Sequence, residues 1–219
     1  MSIHHSLPEH LPHNPLPVFA DWFEYARANQ IQRNPDAMTL ATVDPDGRPS
    51  ARIVLCKHLI DTDGYVVFFT NYQSRKGQAL TAHPFAAAVF HWDSLERQVR
   101  LEGRILRSPE TESDAYFRSR PLTSQLGAWA SEQSRPLSSR THLVAEVARF
   151  SAKFALQAVT GHVPRPPHWG GFRLWIEHIE LWVSGAGRIH DRARWSRELT
   201  PQDDFSFTAG DWHGTRLNP

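Results

Sequence analysis

Three groups of cationic residues carry the potential chemistry of this 219-residue chain. In Arg188-Ile189-His190-Asp191-Arg192 an extended backbone would set Arg188, His190 and Arg192 on one face. Three cationic or protonatable side chains repel one another there unless an anion or an electron-rich ligand sits among them, and solvent exposure is the plain alternative. In Thr70-Asn71-Tyr72-Gln73-Ser74-Arg75-Lys76 a strand ends at Thr70, and Ser74 suits the N-cap of a short helix through Leu80. Cations in a first helical turn oppose the backbone dipole, so Arg75 and Lys76 point to a phosphate site rather than to a merely solvated turn. Tyr116 and Arg120, four apart, would share a helix face, and Ser124 follows the break at Pro121. A guanidinium fork with two hydroxyls suits a phosphate clamp, although an exposed Arg stacked on Tyr fits that segment equally well.

Arg52 and Lys57 share the strand-like Arg52–Lys57 stretch. Five apart, they point to opposite faces of a regular strand and serve two ligand moieties, unless Lys57 lies past a bulge or both are surface charges. The stretch from Ser124 to Ser134 is polar with little charge, yet holds Trp129, a surface suited to a partner or a flat heteroaromatic ring. The thirteen histidines are scattered without an HExxH pattern, and Cys56 is the single cysteine. No metal site is expected from such spacing, and no intrachain disulfide can form.

These groups need elements to position them. Apolar Val18, Phe19, Trp22, Phe23 and Ala26 recur at helical spacing and predict a helix from Leu16 to about Gln32. Strands are predicted at Met38–Val43, Ser50–Lys57, Gly64–Thr70, Phe85–Trp92 and Glu96–Arg107, the first two joined by an Asp44-Pro45-Asp46-Gly47 turn. In the last of these, Val99, Leu101, Gly103 and Ile105 alternate with Gln98, Arg100, Glu102 and Arg104, giving one buried face and one wet or interfacial face. A helical block follows: Pro109 to Arg120, a break or new start at Pro121, then Ser138 to about Gln157. The chain closes on strands near Gly171–Val183 and Arg188–Ser196 and a short C-terminal segment. Sequential strands with grouped rather than alternating helices predict an antiparallel barrel with helices outside, not a doubly wound parallel sheet. Residues 1–15, rich in His and Pro, are expected to be a mobile tail before a single domain over 16–219.

A formal charge of +1 supplies no general field for nucleic acid or an anionic membrane, and no apolar run approaches the roughly 20 residues that span a bilayer. A cytoplasmic protein is expected.

Taken in order, Arg52–Lys57, Thr70–Lys76, Leu95–Val99, Tyr116–Ser134, Trp169–Arg173 and Trp182–Arg192 resemble the pyridoxamine 5′-phosphate oxidase family over most of the chain from Met38 onward. The resemblance implies an FMN-binding split β-barrel, a homodimer with two FMN sites at the subunit interface. Arg52, Lys57, Phe69, Thr70, Arg75, Lys76 and Gln98 would meet FMN from one subunit, and Gln133, Ser134, Trp182 and Arg192 from the other. Lys57, Tyr116, Arg120 and Ser124 would grip the substrate phosphate, with Arg188 and His190 as the catalytic pair against the pyridine ring. The implied reaction oxidises pyridoxamine or pyridoxine 5′-phosphate to pyridoxal 5′-phosphate, with O2 as acceptor and H2O2 as product.

The chain departs from the family pattern at Phe69, where Tyr is usual, at Cys56 in place of Leu, and at Asn218. The stretch before Leu16 lacks the usual Arg-rich motif. Two other readings remain open: a related split-barrel flavin oxidase acting on a phenazine precursor, and a non-catalytic FMN- or pyridoxal phosphate-binding protein.

Overall fold

The computed structural model describes residues 6–159 and 163–219. Eleven strands carry the fold: β1 Ala37–Val43, β2 Pro49–Leu55, β3 His58–Ile60, β4 Tyr65–Asn71, β5 Phe85–Trp92, β6 Arg97–Arg107, β7 Trp169–Val183, β8 Asp191–Ser196, β9 Leu199–Asp203, β10 Ser206–Ala209 and β11 His213–Leu217. Nine of them form one antiparallel sheet in the order β11-β8-β7-β6-β5-β1-β2, with β4 also on β7 and β3 on β4. The sheet forks at β7. β6 runs along one edge of β7, while the other edge is shared end to end by β4 (Tyr65↔Trp175 to Asn71↔Trp169) and β8 (His178↔Ser196 to Val183↔Asp191). At the far end of the sheet the Lys57 N–H donates to the Val67 carbonyl at 2.8 Å, tying the end of β2 back to β4. The result is an antiparallel barrel with helices outside, as the sequence pattern predicts, split as the family resemblance implies.

The curl has local causes. A bulge at Glu102/Gly103 bends β6 over β7, and a Cβ at Gly103 would collide with the Trp175 carbonyl. The β1–β2 turn closes with Gly47 at φ 84, a conformation glycine adopts without a side-chain clash. Along β6, Val99, Leu101, Gly103 and Ile105 are buried and Gln98, Arg100, Glu102 and Arg104 half-buried, so the alternation read from sequence holds.

Six helices flank the sheet: α1 Leu16–Ala28, α2 Arg75–Ala82, α3 Glu110–Ser119, α4 Leu122–Ala130, α5 Arg140–Lys153 and α6 Ala155–Val159. α1 buries Phe19 and Phe23 against Phe90, at ring distances of 5.4 and 5.7 Å, and closes the main core. Each such phenyl burial contributes roughly 1.5–3 kcal/mol. The helix stops short of Gln32 because the Asn29 amide donates back to the Tyr25 carbonyl and Gln30 turns to φ 46. A second core lies under α3–α5, around Phe117, Phe150, Phe154 and Trp169.

The segment before Leu16 departs from the expected free tail. Leu7 is buried in the main core, its N–H donating to Asp191 at 2.7 Å. The Trp195 indole donates to the Pro12 carbonyl at 2.9 Å and Arg216 to that of Pro8 at 2.7 Å. Composition suggested a tail; the carbonyls of this segment instead satisfy side chains of β8 and β11. Met1 to His5 lie outside the described residues. Among the described residues no helix is long and apolar enough to cross a membrane, and no group of three or more His, Cys, Asp and Glu could hold a metal ion.

Candidate active site

A cleft of about 500 Å³ opens between the end of β4 and the α3–α4 corner. It brings together Lys57, Phe69, Thr70, Lys76, Tyr116, Arg120, Ser124 and Gln133, eight of the residues singled out in the sequence. Ser74 caps α2 as expected, accepting the Gly77 N–H at 3.3 Å, and so fixes where Lys76 emerges. Lys76 Nζ donates to Thr70 Oγ1 at 3.0 Å and Gln133 Oε1 at 2.8 Å, with no carboxylate among these partners. Burial, reinforced by the Arg52 guanidinium, pushes its amine down to about 8.

Arg120 ends α3 with extended backbone (φ −74, ψ 149), so the chain break at Pro121, not a shared helix face, brings it beside Tyr116. Its guanidinium lies over the Trp169 ring at 4.7 Å, and its Nη1 is buried without a hydrogen-bond partner. Burial lowers its pKa as well. An orphaned guanidinium nitrogen and a desolvated ammonium in one cleft call for anionic ligands. Lys57, also on the wall, is paired with Asp36 at 2.8 Å. Beyond the end of β2, it escapes the opposite-face geometry that a regular strand would impose on Arg52 and Lys57.

Two predicted cofactor residues are not among those that line the cleft. Arg52 donates to Thr42 Oγ1 at 2.7 Å and the Leu40 carbonyl at 3.2 Å. Arg75 grips Asp44 through Nε at 2.9 Å and Nη2 at 2.5 Å, and holds that carboxyl below the usual carboxylate range. Cys56 is buried and its thiol pushed up to about 12, so it is a protonated core residue.

The remaining predicted residues gather elsewhere. Gln98, Trp182 and Arg192 form one cross-strand row over β6, β7 and β8. The His190 ring packs on Trp182 at 4.6 Å, and its Nδ1 accepts the Gly185 N–H at 3.2 Å. Arg192 Nε donates to buried Glu180 at 2.8 Å, and Arg100 donates to the other oxygen of that carboxylate at 3.1 Å. None of this row, nor Ser134 or Arg188, lines the cleft.

One expectation is corrected here. β8 begins only at Asp191, because Ala186–Arg188 form a 3-10 turn with Arg188 at φ 65, so Arg188, His190 and Arg192 do not share a strand face. Within this chain Gln133 Oε1 accepts from Thr70 Oγ1 at 3.1 Å as well as from Lys76 Nζ.

Sequence reasoning gave no role to Asp36, Glu180, Gly185 or Trp169. Trp169 was flagged only within a matching stretch. The other three act through partners distant in the chain or through a main-chain N–H, which residue type and spacing do not announce.

Residues 26–154 match the family model described as pyridoxamine 5′-phosphate oxidase. The chain belongs to the pyridoxamine 5′-phosphate oxidase family. Residues 169–219 match a second model, the pyridoxine 5′-phosphate oxidase C-terminal dimerisation region. A curated pyridoxine/pyridoxamine 5′-phosphate oxidase of Methylibium petroleiphilum is 50% identical over 210 residues, covering 96% of this chain and 91% of the relative. One from Ralstonia nicotianae, named pyridoxine/pyridoxamine 5′-phosphate oxidase 1, is 51% identical, covering 94% and 89%. Among solved structures, PhzG from Burkholderia lata in complex with tetrahydrophenazine-1-carboxylic acid superposes with a TM-score of 0.80 at 29% identity, covering 95% of this chain and 94% of that one. A pyridoxamine 5′-phosphate oxidase-related, FMN-binding protein of Nostoc punctiforme shares the fold, with a TM-score of 0.66 at 15% identity, covering 93% and 96%.

Proposed function

We propose that this protein is an FMN-dependent oxidase that converts pyridoxamine and pyridoxine 5′-phosphate to pyridoxal 5′-phosphate, working as a homodimer. The observation that carries this reading is the cleft wall of Lys57, Tyr116, Arg120 and Ser124 facing Thr70, Lys76 and Gln133, with Arg120 Nη1 buried and unpaired. Two desolvated cations on opposite walls suit two phosphates, one of the vitamer and one of FMN. FMN held there would supply two-electron acceptor chemistry at C4′ with O2 reduced to H2O2, and for the amine substrate water would then release ammonia to leave the aldehyde.

The chain's own residues bind and orient. Lys57, Tyr116, Arg120 and Ser124 hold the vitamer phosphate; Thr70, Lys76 and Gln133 hold the flavin phosphate, with Arg52 and Arg75 adding positive potential. Trp182, Arg188, His190 and Arg192, all within the region matched as a dimerisation region, come to the same site from the second subunit, together with Gln98 and Ser134. Arg188, exposed on a left-handed turn, reaches out to the pyridine ring. Because His190 Nδ1 accepts a main-chain N–H, the neutral ring carries its proton on Nε2, and His190 acts as a hydrogen-bond donor to the vitamer.

A phenazine precursor is the second reading, favoured by the likeness to the structure with tetrahydrophenazine-1-carboxylic acid. That ligand carries a carboxylate and no phosphate, which leaves the Lys57–Tyr116–Arg120–Ser124 group without its role. The deciding experiment is an absorption spectrum of the purified protein, then an aerobic assay of both vitamer phosphates with peroxide detection. Vitamer-dependent peroxide is expected; a yellow protein that turns over neither vitamer would overturn the oxidase reading.

A further inference from the structure

We propose that Phe69 and Trp169 are positioning residues for the phosphate clamp, holding Tyr116 and Arg120 by their ring faces. This rests on the oxidase reading above and assigns residues within its substrate half.

Phe69, Tyr116 and Trp169 are close to parallel. Phe69 stacks on Tyr116 at 4.0 Å and 16°, on Trp169 at 5.6 Å and 10°, and Tyr116 lies 8° from the Trp169 plane. Arg120 lies over the same Trp169 ring. Both clamp side chains are thus set by one aromatic plate that also lines the cleft.

The sequence builds the plate deliberately. On β7, Gly171 faces Phe69 and Trp169 faces Asn71, so the ring of Phe69 leans across a residue that has no side chain. A Cβ at Gly171 would come within 2.9 Å of the Phe69 ring, and one at Gly170 would collide with the Tyr72 hydroxyl. Phe117 braces the buried Trp169 edge-on at 5.1 Å. A phenyl in place of Tyr has no hydroxyl to offer a flavin, but it keeps the face that stacks. A guanidinium spread over an indole keeps a fixed plane, so its donors meet a phosphate at a set angle. Hydrogen bonds weaken steeply as that angle is lost.

A purely structural role for these rings is the alternative, and the test separates the two. Phe69→Leu removes the stacking face at a half-buried position, Phe69→Tyr restores it, and Trp169→Phe keeps a ring in the second core. Each variant is measured for FMN Kd, thermal unfolding, kcat, KM for pyridoxamine 5′-phosphate, and binding of inorganic phosphate by calorimetry. Phe69→Leu should raise KM and weaken inorganic phosphate binding in parallel by about tenfold, with kcat and FMN Kd within about twofold. Phe69→Tyr should return both to wild type, and Trp169→Phe should fall between. An FMN Kd that rises while KM stays would overturn the proposal, as would phosphate binding unchanged in Phe69→Leu. Wild-type protein that binds phosphate but oxidises neither vitamer would count against the oxidase reading alone, since the phosphate arm still reads the clamp.

Discussion

Lys76 gives the sharpest quantitative handle on the cleft. Its amine sits at about 8 in the ligand-free chain, below the ordinary 10.5 of a lysine, because burial and the Arg52 guanidinium both disfavour the charge. A phosphate placed against Nζ would reverse that balance and draw the proton back. The ammonium is about 90% charged at pH 7 and about 10% charged at pH 9, from a value near 8. Binding that requires the charged form should therefore weaken about tenfold from pH 7 to pH 9. Arg52 and Arg75, the other cations given to the flavin phosphate, are guanidiniums that keep their charge over that range, and Thr70 and Gln133 do not titrate there. Fluorescence titration of FMN into the apoprotein at several pH values reads the effect, with Lys76→Met as the control that should bind weakly and without this slope. Stability should move in the matching sense. Below 8 the folded chain bears the full cost of a buried ammonium, and between 8 and 10.5 it sheds that proton while the unfolded chain keeps it. Ligand-free wild type should accordingly gain stability relative to Lys76→Met as pH rises through that window. A flat FMN Kd in wild type, or an equal slope in Lys76→Met, would refute the assignment of Lys76 to the flavin phosphate.

Arg188→Leu should lower kcat/KM by about a hundredfold or more, the usual loss for a preorganised charge at the reacting centre, while FMN Kd stays within about threefold. His190→Gln, which can keep a donor near the Nε2 position, should retain more activity than His190→Asn, and ¹⁵N shifts of the labelled ring should report the Nε2–H tautomer. Leu7→Ala should cost about 2–4 kcal/mol in urea unfolding, as expected for truncating a buried leucine, whereas a free tail would show no loss. Mixing Arg120→Leu and Arg188→Leu dimers after reversible dissociation should restore about a quarter of wild-type activity, since random pairing makes half the dimers mixed and each holds one intact site. No recovery would place both residues in the same chain's site.

The parts legible in sequence were those governed by local pattern. Period-two alternation in Arg97–Arg107, the Asp-Pro-Asp-Gly turn and Ser74 as an N-cap all follow from rules that span a few residues, and the structure bears them out. Arg188–Arg192 failed because the left-handed backbone at Arg188 carries no residue-type signal: Arg is not a residue that favours φ 65. The buried Leu7 was missed for a different reason. What holds its segment is a set of main-chain groups bonded to Asp191, Trp195 and Arg216, near the opposite end of the chain. Composition sees His and Pro there and cannot see the partners. The pairing of Lys57 with Asp36 is likewise a contact between a loop and a strand end, set by the fold and not by spacing.

The division of the predicted residues into two groups carries a consequence for how the site is completed. Trp169 opens β7 beside the cleft and Trp182 lies one residue from its end, on the stretch that pairs with β8. At about 3.3 Å per residue these points lie roughly 40 Å apart along the strand. Each group is separately braced: the cleft by the aromatic plate and the Asp36–Lys57 pair, the Trp182 row by Glu180, which holds both Arg192 and Arg100. A row of aromatic and cationic side chains kept in order by a buried carboxylate, yet remote from any cleft wall in its own chain, is preorganised for a surface that another molecule brings. A second copy related by two-fold symmetry would bring a cleft to each row and a row to each cleft, closing two equivalent sites at once. Residues 169–219, which match the dimerisation region of the family, contain Trp182, His190 and Arg192. Were the site completed in that way, catalytic competence and association would be one property of the same strands, and substitutions at Glu180 should loosen the subunits and the flavin together.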